Sequence, residues 1–349
     1  MDLLYQAINK AISYGAAFYA YRMPNGKDAV FHAIPEGCTV DCLCGFRISP
    51  FDIDGEHKEV IIPKGLDAKT FLDYECHTVN IPDTIVSDVN STTFEEYADE
   101  FNQCKKILDN GTVNKIVLSK VTRCDFKGID WGGFFKLMEK RYPTAFVFIF
   151  QSPDVGAWAG ASPETLARHH NSIFKTMALA GTKPIDCGHD WSKKEIDEQR
   201  YVSGFIEDAL RKYHFPFSES ITSTISAGNI CHLCNYFSAY TDNMDINPLI
   251  KEIHPTPALC GLPKGDSKQA ILQIEHHDRS YYGGYIGPFS PEGFDYFVNL
   301  RSVNFNRAAQ ILFTGGGLTV DSRLRSEWQE TEIKTETIMS ILKESDKSK

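Results

Sequence analysis

The pattern of apolar and polar positions is most informative near the end of the chain. An apolar run from Gln310 to Phe313 predicts a strand, and the glycines from Gly315 to Gly317 follow it closely. Because glycine tolerates tight turns, we expect the chain to turn here and to bring backbone amides close to a ligand. Ser326 is then the predicted N-cap of the next helix.

One edge of that helix carries charged residues. At about 100° per residue, the apolar positions between Trp328 and Leu342 form one stripe. Glu327, Glu330 and Lys334 lie together along the edge of this stripe, whereas Glu332 points to solvent. Half-buried charges need partners, so this edge is a candidate site. A solvated pair of glutamate and lysine explains the segment equally well when it is taken alone.

A second helix repeats this arrangement. The helix predicted from Ser192 to Tyr213 has one apolar face, and Glu195 and Glu198 extend that face toward the start of the helix. Two helices therefore each direct a Glu-x-x-Glu pair inward, and opposed carboxylates need a cation. Oxygen-only ligands favour Mg²⁺ or a similar hard ion. The alternative is that acidic residues occupy the positive ends of two helix dipoles.

Two further segments offer a base and an acid. The sequence from Lys115 to Arg123 predicts a strand on which Lys115 shares a face with Val117 and Ser119. An amine on the buried side of a sheet can act as a base, although a lysine that protects a sheet edge is the alternative. Glu164 follows small residues and Pro163, where burial would raise the pKa of its carboxyl group. A simple turn is the alternative for Glu164.

Three polar residues outside these segments are candidates for ligand contacts. Thr182 lies in a small-residue turn predicted after the strand from Ile173 to Leu179. His254 precedes Pro255 and Pro257, which fix the path of the chain, although a lone histidine is more often a structural residue. Arg301 lies in a strand predicted from Tyr296 to Asn306, where a charge on an otherwise apolar segment indicates an anionic partner.

The remaining elements are expected from short periodic runs. The N-terminal third is the least informative part, and residues 344–349 form a predicted disordered tail. Strands are predicted at Ala16–Tyr21, Ala29–Ala33, Val60–Ile62, Thr144–Phe150 and Ile230–Tyr240, and helices at Phe94–Leu108 and Pro248–Ile253.

Composition narrows the class of protein. The chain has 349 residues, of which 42% are apolar, enough to bury a sizeable core. Its formal net charge of −10 argues against binding to nucleic acid and to anionic membrane surfaces. The start of the chain does not resemble a secretory leader, and no segment approaches the roughly 18 apolar residues of a membrane span. We therefore expect a cytoplasmic protein whose cysteines are reduced thiols.

Several motifs in fixed order resemble one known family. They are KIVLSK, GASPETL, LAGTKP, the Glu-x-x-Glu helix, HPTPALCG, RSYYGG, GGGLTVDS and EWQETEIK, between Lys115 and Lys334. This order is similar to that of the chorismate-utilising enzymes, which include isochorismate, salicylate, anthranilate and aminodeoxychorismate synthases. The resemblance implies a single α/β (α+β) domain of largely antiparallel layered sheets with helices packed outside. Residues 1–95 would be its weakly matched N-terminal part, and residues 96–343 the chorismate-binding catalytic core.

Departures from the family pattern indicate which member the chain resembles. Aminodeoxychorismate synthases carry a lysine in place of Ala180, and anthranilate synthases have a different segment around His254. The HPTPALCG segment is most similar to isochorismate synthases, and the compact N-terminal third fits the menaquinone-type ones. Salicylate synthases share part of this segment and remain the alternative. A regulator that binds chorismate without turnover is a further alternative, and no obligatory amidotransferase subunit is expected.

The resemblance also implies roles for the candidate residues. Lys115 would deprotonate the attacking water, and Glu164 would protonate the departing hydroxyl group. Glu198 and Glu330 would hold Mg²⁺, with Glu195 and Glu327 in support. The substrate would be contacted by Thr182, His254, Tyr282, Arg301, Lys334 and the backbone of Gly315 and Gly317.

Overall fold

The structure is a computed structural model that describes residues 2–79, 89–185, 190–227, 230–242 and 244–347. Its helices are α1 (Asp2–Tyr14), α2 (Ala68–Asp73), α3 (Phe94–Asp109), α4 (Trp131–Arg141), α5 (Lys193–Lys212), α6 (Asn247–Ile253), α7 (Lys264–Ile274) and α8 (Leu324–Ser345). Its strands are β1 (Ala17–Arg22), β2 (Ala29–Ile34), β3 (Asp41–Ser49), β4 (Val60–Lys64), β5 (Lys115–Cys124), β6 (Phe146–Ser152), β7 (Gly156–Ser162), β8 (Thr165–His170), β9 (Ile173–Pro184), β10 (Phe217–Glu219), β11 (Ser223–Ala227), β12 (Ile230–Tyr240), β13 (Gly261–Leu262), β14 (Tyr285–Ser290), β15 (Gly293–Val298), β16 (Ser302–Phe305) and β17 (Gln310–Leu318).

Two antiparallel sheets form the centre of the molecule. The first sheet has the strand order β13-β5-β17-β16-β7-β6-β1-β2. The second has the order β10-β12-β9-β8-β15-β14-β3-β4, and β11 pairs with β12. Aromatic side chains fill the space between the sheets. Phe146 of β6 stacks on Phe297 of β15 with 4.1 Å between ring centroids, which joins the two layers in one apolar core.

Helices cover the outside of these layers. Ala7 of α1, Phe134 of α4 and Ile338 of α8 belong to one buried cluster with apolar residues of the first sheet. In α5, Val202 and Ile206 are buried in the core that the two sheets share. The antiparallel layered sheets with helices outside are the fold class predicted from the sequence, and this prediction is confirmed. Within the described ranges, no helix has the length and apolarity needed to cross a membrane.

Most elements predicted from periodicity are confirmed within a few residues. The helix predicted from Phe94 is α3, and a capping box between Thr93 and Glu96 begins it. The long acidic helix is α5, which follows Ser192 as predicted. The apolar run before Gln151 is β6, buried along its whole length. The sequence analysis did not predict the helices α1, α2, α4 and α7 or the strands β3, β7, β8, β10, β11, β13 and β14.

The predicted glycine turn is wrong. Residues 315–317 lie inside β17 and pair with β5, with Gly317 opposite Val117. The predicted turn around Thr182 is also part of a strand, because β9 continues to Pro184 with an irregular register opposite β12. In both segments the glycines lie within a sheet, where the absence of a side chain leaves space. Turn propensity alone does not distinguish such a glycine from one in a turn.

The strand predicted from Tyr296 to Asn306 is two strands. Its first part, β15, belongs to the second sheet, and its last part, β16, belongs to the first. Arg301 lies where the chain crosses between them and has a φ of 49°. A non-glycine residue rarely adopts this left-handed conformation. The alternation of apolar and polar residues therefore predicted one continuous strand through Arg301.

Two predictions at the C-terminal helix are also wrong. The N-cap is Arg323 and not Ser326, because α8 begins at Leu324. The predicted disordered tail is ordered as far as the structure describes it. The helix extends to Ser345, and Lys347 forms a salt bridge of 2.6 Å with Asp130. Residues 348 and 349 lie outside the described residues.

Candidate active site

One cavity collects most of the predicted site residues. It is lined from β5, β9 and β12, from the crossing at Arg301, from β17, and from α5 and α8. The predicted residues in its wall are Glu164, Thr182, Glu195, Glu198, Tyr282, Arg301, Gly315, Gly317, Glu330 and Lys334. Lys115 and Glu327 join this group through contacts with side chains of the wall.

Lys115 lies behind the wall, at the start of β5. It is 1% exposed, and its Nζ donates a hydrogen bond of 2.7 Å to Oε1 of Glu198. Gly317 on the neighbouring strand makes this arrangement possible. A Cβ atom there would lie 2.7 Å from Cε of Lys115 and 3.2 Å from Oε1 of Glu198. The glycine therefore gives the buried ion pair the space that a side chain would occupy.

Glu164 is a buried acid in the wall of the same cavity. It follows β7, is 2% exposed, and accepts a hydrogen bond of 3.1 Å from Oγ1 of Thr256. Burial raises the pKa of its carboxyl group to about 7, against smaller lowering effects of Thr256 and of the charge on Lys115. A carboxyl group with such a pKa carries a proton often enough near neutrality to act as a donor.

Glu330 and Lys334 on α8 reach the cavity together, as their helical phase predicts. Nζ of Lys334 lies 2.8 Å from Oε1 of Glu330 and donates a hydrogen bond of 2.9 Å to the carbonyl oxygen of Gly315. The charge of Lys334 is the main cause that lowers the pKa of Glu330. Glu332 is about half exposed and pairs with Lys120 on the other side of the helix.

Glu327 is more deeply buried than its neighbours. Its side chain is 3% exposed, and Nζ of Lys194 lies 3.4 Å from its Oε1. Its Oε2 accepts no hydrogen bond within the described residues. Burial raises the pKa of Glu327, and the charge of Lys194 opposes that effect. Sequence reasoning missed Lys194, since its partner lies 133 residues away.

Glu195 has a local role in addition to its place in the wall. Its Oε2 accepts a hydrogen bond of 2.9 Å from the backbone amide of Ser192, which completes a capping box at the start of α5. Within the part of the chain that is described, no three acidic, histidine or cysteine side chains already form a metal-binding group. Glu198, Glu327 and Glu330 each contact a lysine instead.

Arg301 is oriented by a histidine that the sequence analysis did not select. Its Nη2 lies 3.0 Å from Nε2 of His232, and Nδ1 of His232 lies 2.9 Å from the carbonyl oxygen of Gly181. Burial, followed by the charge of Arg301, lowers the pKa of His232 to about 3. The neutral ring therefore donates to Gly181 through Nδ1 and accepts from Arg301 through Nε2. Thr182 contacts the same ring at 3.2 Å.

Tyr282 completes this side of the cavity. Its ring stacks on Phe313 with centroids 5.2 Å apart, and burial raises the pKa of its hydroxyl group to about 12. A Cβ atom at Gly315 would lie 3.4 Å from that hydroxyl group. Together with Arg301, the neutral hydroxyl provides donors for an anionic group of a ligand.

His254 is the one predicted substrate contact outside the lining. It is 2% exposed, and its Nε2 lies 3.0 Å from the carbonyl oxygen of Pro50. Its ring packs edge-on against Tyr285, and burial lowers the pKa of the imidazole to about 4. These contacts support the loop that leads to Thr256, and a contact between His254 and the substrate stays a prediction.

A buried acid beside a buried amine, inward carboxylates and a cationic pocket define a site for a small anionic ligand between two antiparallel sheets. A family model described as "chorismate binding enzyme" matches residues 58–343, and the chain belongs to that family. The resemblance inferred from the motifs is thereby confirmed.

Individual relatives agree with this assignment. The chain is 28% identical over 261 residues to isochorismate synthase MenF of Haemophilus influenzae and 28% over 268 residues to isochorismate synthase EntC of Escherichia coli. These matches cover 71% and 72% of this chain, and 60% and 67% of the two relatives. The solved structure of MenF, the menaquinone-specific isochorismate synthase of Escherichia coli, has the same fold. It has a TM-score of 0.77 and 18% identity, over 98% of this chain and 91% of that one.

Proposed function

We propose that this protein is an isochorismate synthase, which converts chorismate to isochorismate by attack of water at C2 and loss of the C4 hydroxyl group. The observation that carries this proposal is the buried Glu164, whose pKa is raised to about 7, in the wall of a cavity whose lining residue Glu198 forms an ion pair with the buried Lys115. A hydroxyl exchange needs a proton donor for the leaving group and an acceptor for the attacking water. A protein that only binds chorismate needs neither.

Lys115 is the proposed base and Glu164 the proposed acid. Lys115 can act as a base only as the neutral amine, so the proposed step requires that the ammonium group of its ion pair with Glu198 first loses its proton. The neutral amine then takes a proton from the attacking water, while the protonated Glu164 gives its proton to the hydroxyl group, which departs as water. Thr256 holds Glu164 in place, and Gly317 leaves space for Lys115. The burial of Lys115 and Glu164 excludes bulk water from both proton transfers.

Arg301 and Tyr282 are the proposed donors to the enolpyruvyl carboxylate of chorismate. Nε2 of His232 accepts a hydrogen bond from the Arg301 guanidinium, and Arg301 lines the cavity. The backbone of Gly315 and Gly317 lines the same side without side-chain bulk. Apolar residues, among them Leu179 and Phe313, line the remaining wall against which the ring of the substrate can lie.

The acidic side of the cavity fits Mg²⁺. Oε2 of Glu327 is buried without a donor in the described chain, and a Cβ at Gly316 would lie 3.5 Å from it and 3.9 Å from Oε1 of Glu330. These oxygens therefore approach the same face of β17. Glu198 and Glu330 would hold the ion, with Glu327 and Glu195 in support, and bound Mg²⁺ would supply positive charge for the ring carboxylate of the substrate.

We further propose that the isochorismate feeds menaquinone synthesis. The support is the similarity to MenF enzymes, of which the one from Escherichia coli is menaquinone-specific, while the similarity to a vibriobactin-specific isochorismate synthase keeps a siderophore pathway open. Loss of menaquinone from cells that lack this protein would support the first pathway. Loss of a catechol siderophore alone would contradict it.

Product analysis tests the activity itself. Purified protein is incubated with chorismate and Mg²⁺, and the products are separated by chromatography. We expect isochorismate, no product after chelation, and recovery when Mg²⁺ is added back. Salicylate as the main product would indicate a salicylate synthase. Chorismate binding without any product would indicate a regulator, and full turnover after exhaustive chelation would refute the metal assignment.

A further inference from the structure

Lys194 places a positive charge among three carboxylates. Its Nζ lies 3.4 Å from Oε1 of Glu327, and the charges of Glu198 and Glu330 also attract it. Its side chain lines the cavity although 43% of it is exposed. The three carboxylates are those to which the proposed function assigns Mg²⁺, so this inference rests on that proposal.

The three lysines around these carboxylates are held in different ways. Lys115 is fully buried at the base of the site, and Lys334 is fixed by the carbonyl oxygen of Gly315. Lys194 has one long contact, to Glu327, and an exposed path for its side chain. It can therefore leave the site by a change of rotamer, without a movement of the backbone of α5.

We propose that Lys194 is an internal counter-ion, which occupies the cation position in the metal-free protein and withdraws to solvent when Mg²⁺ binds. An ammonium group and a divalent ion repel each other, so an ammonium group at the cation position has to leave it before Mg²⁺ can bind there. The ammonium group also leaves Oε2 of Glu327 without a donor, which a divalent ion would remedy. Lys194 thus keeps the acidic site folded without metal and lowers its affinity for Mg²⁺.

Metal binding measured without substrate tests this proposal. Mg²⁺ is titrated calorimetrically into chelator-treated wild-type protein, Lys194→Met and the control Lys193→Met. Lys193 has a side chain that is 92% exposed and pairs with Asp197, away from the site. We expect Lys194→Met to bind Mg²⁺ on the order of tenfold more tightly than wild type. The control should bind as wild type does.

Thermal unfolding provides a second readout. In chelator, Lys194→Met should unfold at a lower temperature than wild type, because the buried Glu327 loses its partner. Saturating Mg²⁺ should remove that difference. Any difference in unfolding temperature between Lys193→Met and wild type should be the same with and without Mg²⁺. A difference that persists in Mg²⁺ would mean that Lys194 remains in the site as a structural residue, and would overturn the proposal.

The outcomes separate this inference from the proposed function. Equal or weaker Mg²⁺ binding by Lys194→Met, with normal binding by wild type, would overturn the role of Lys194 alone. Absence of Mg²⁺ binding by the folded wild-type protein would overturn the metal assignment and the role of Lys194 with it. Product analysis would then still decide the reaction independently.

Discussion

Nζ of Lys115 lies 2.7 Å from Oε1 of Glu198, although the two residues are 83 positions apart in the chain. The contact joins the first strand residue of β5 to the second turn of α5. It brings the proposed base into contact with a proposed metal ligand. One buried ion pair thus connects the acid–base chemistry of the cavity to its acidic side.

The acid–base pair should be sensitive to neutral replacement. General acids and bases each contribute about 10² to 10⁴ in rate, so Lys115→Gln and Glu164→Gln should each lower kcat on that scale. Steady-state kinetics and chorismate binding by the folded variants check this. Lys120→Gln is the control, because Lys120 faces Trp328 and Glu332 on the opposite side of β5. It should change thermal stability more than kcat, and a larger loss of kcat than for Lys115→Gln would refute the assignment.

The helical phase of α8 predicts unequal roles for neighbouring glutamates. Glu330 lines the cavity, whereas the side chain of Glu332 is 54% exposed. Glu330→Gln should therefore reduce kcat by at least about tenfold and weaken Mg²⁺ binding, because a carboxylate that lines the cavity is lost. Glu332→Gln should leave both within about twofold of wild type. Equal losses in the two variants would be incompatible with the metal assignment.

Two adjacent glycines should differ in their tolerance of a methyl group. A Cβ atom at Gly317 would press on Cε of Lys115 at 2.7 Å, whereas at Gly316 the nearest contact would be an ordinary 3.5 Å. Gly317→Ala should lower kcat by about 10²-fold through displacement of the amine. Gly316→Ala should keep most of the activity. The reverse order of kcat values would show that the amine of Lys115 does not need its described position.

The raised pKa of Glu164 makes a prediction about stability. Its ordinary value of 4.5 applies to the unfolded chain, and burial raises the folded value to about 7. The stabilising contribution of the neutral form is complete below 4.5 and is lost as the pH rises through about 7. Wild type should therefore lose about 2 kcal/mol relative to Glu164→Gln between about pH 5 and about pH 8.

Chemical denaturation at both pH values measures this difference. The neutral glutamine removes the titration while it keeps the size of the side chain. Parallel stability profiles for the two proteins would contradict the described environment of Glu164. That result would leave the fold and the family unaffected.

The side chains with helical or strand periodicity were predictable from the sequence. Glu198, Glu330 and Lys334 are on the inward side because the apolar stripes of α5 and α8 fix the helix phase. Lys115 lies on the face of β5 that was predicted from alternation, although both faces of the strand are buried from Lys115 to Val121. Local periodicity, confirmed by the burial of these elements, therefore identified much of the acidic side of the site.

The missed features depend on contacts between distant segments. The crossing at Arg301, with its positive φ, follows from strands that belong to different sheets, and His232 meets it only through β12. Glu327 of α8 contacts Lys194 of α5, which lies 133 positions away in the chain. No pattern within one segment contains such information. For the same reason His254 was selected for its proline neighbours, although its partner, Pro50, lies 204 positions away.

The most direct test of the account is the origin of the new hydroxyl group. Wild-type protein converts chorismate in water enriched in the heavy oxygen isotope, and mass spectrometry measures the label in the isochorismate. We expect one labelled oxygen, in the C2 hydroxyl group, with label uptake slowed in Lys115→Gln and Glu164→Gln in parallel with kcat. Unlabelled isochorismate would show that the hydroxyl group is transferred without attack by water, and would contradict the roles of Lys115 and Glu164.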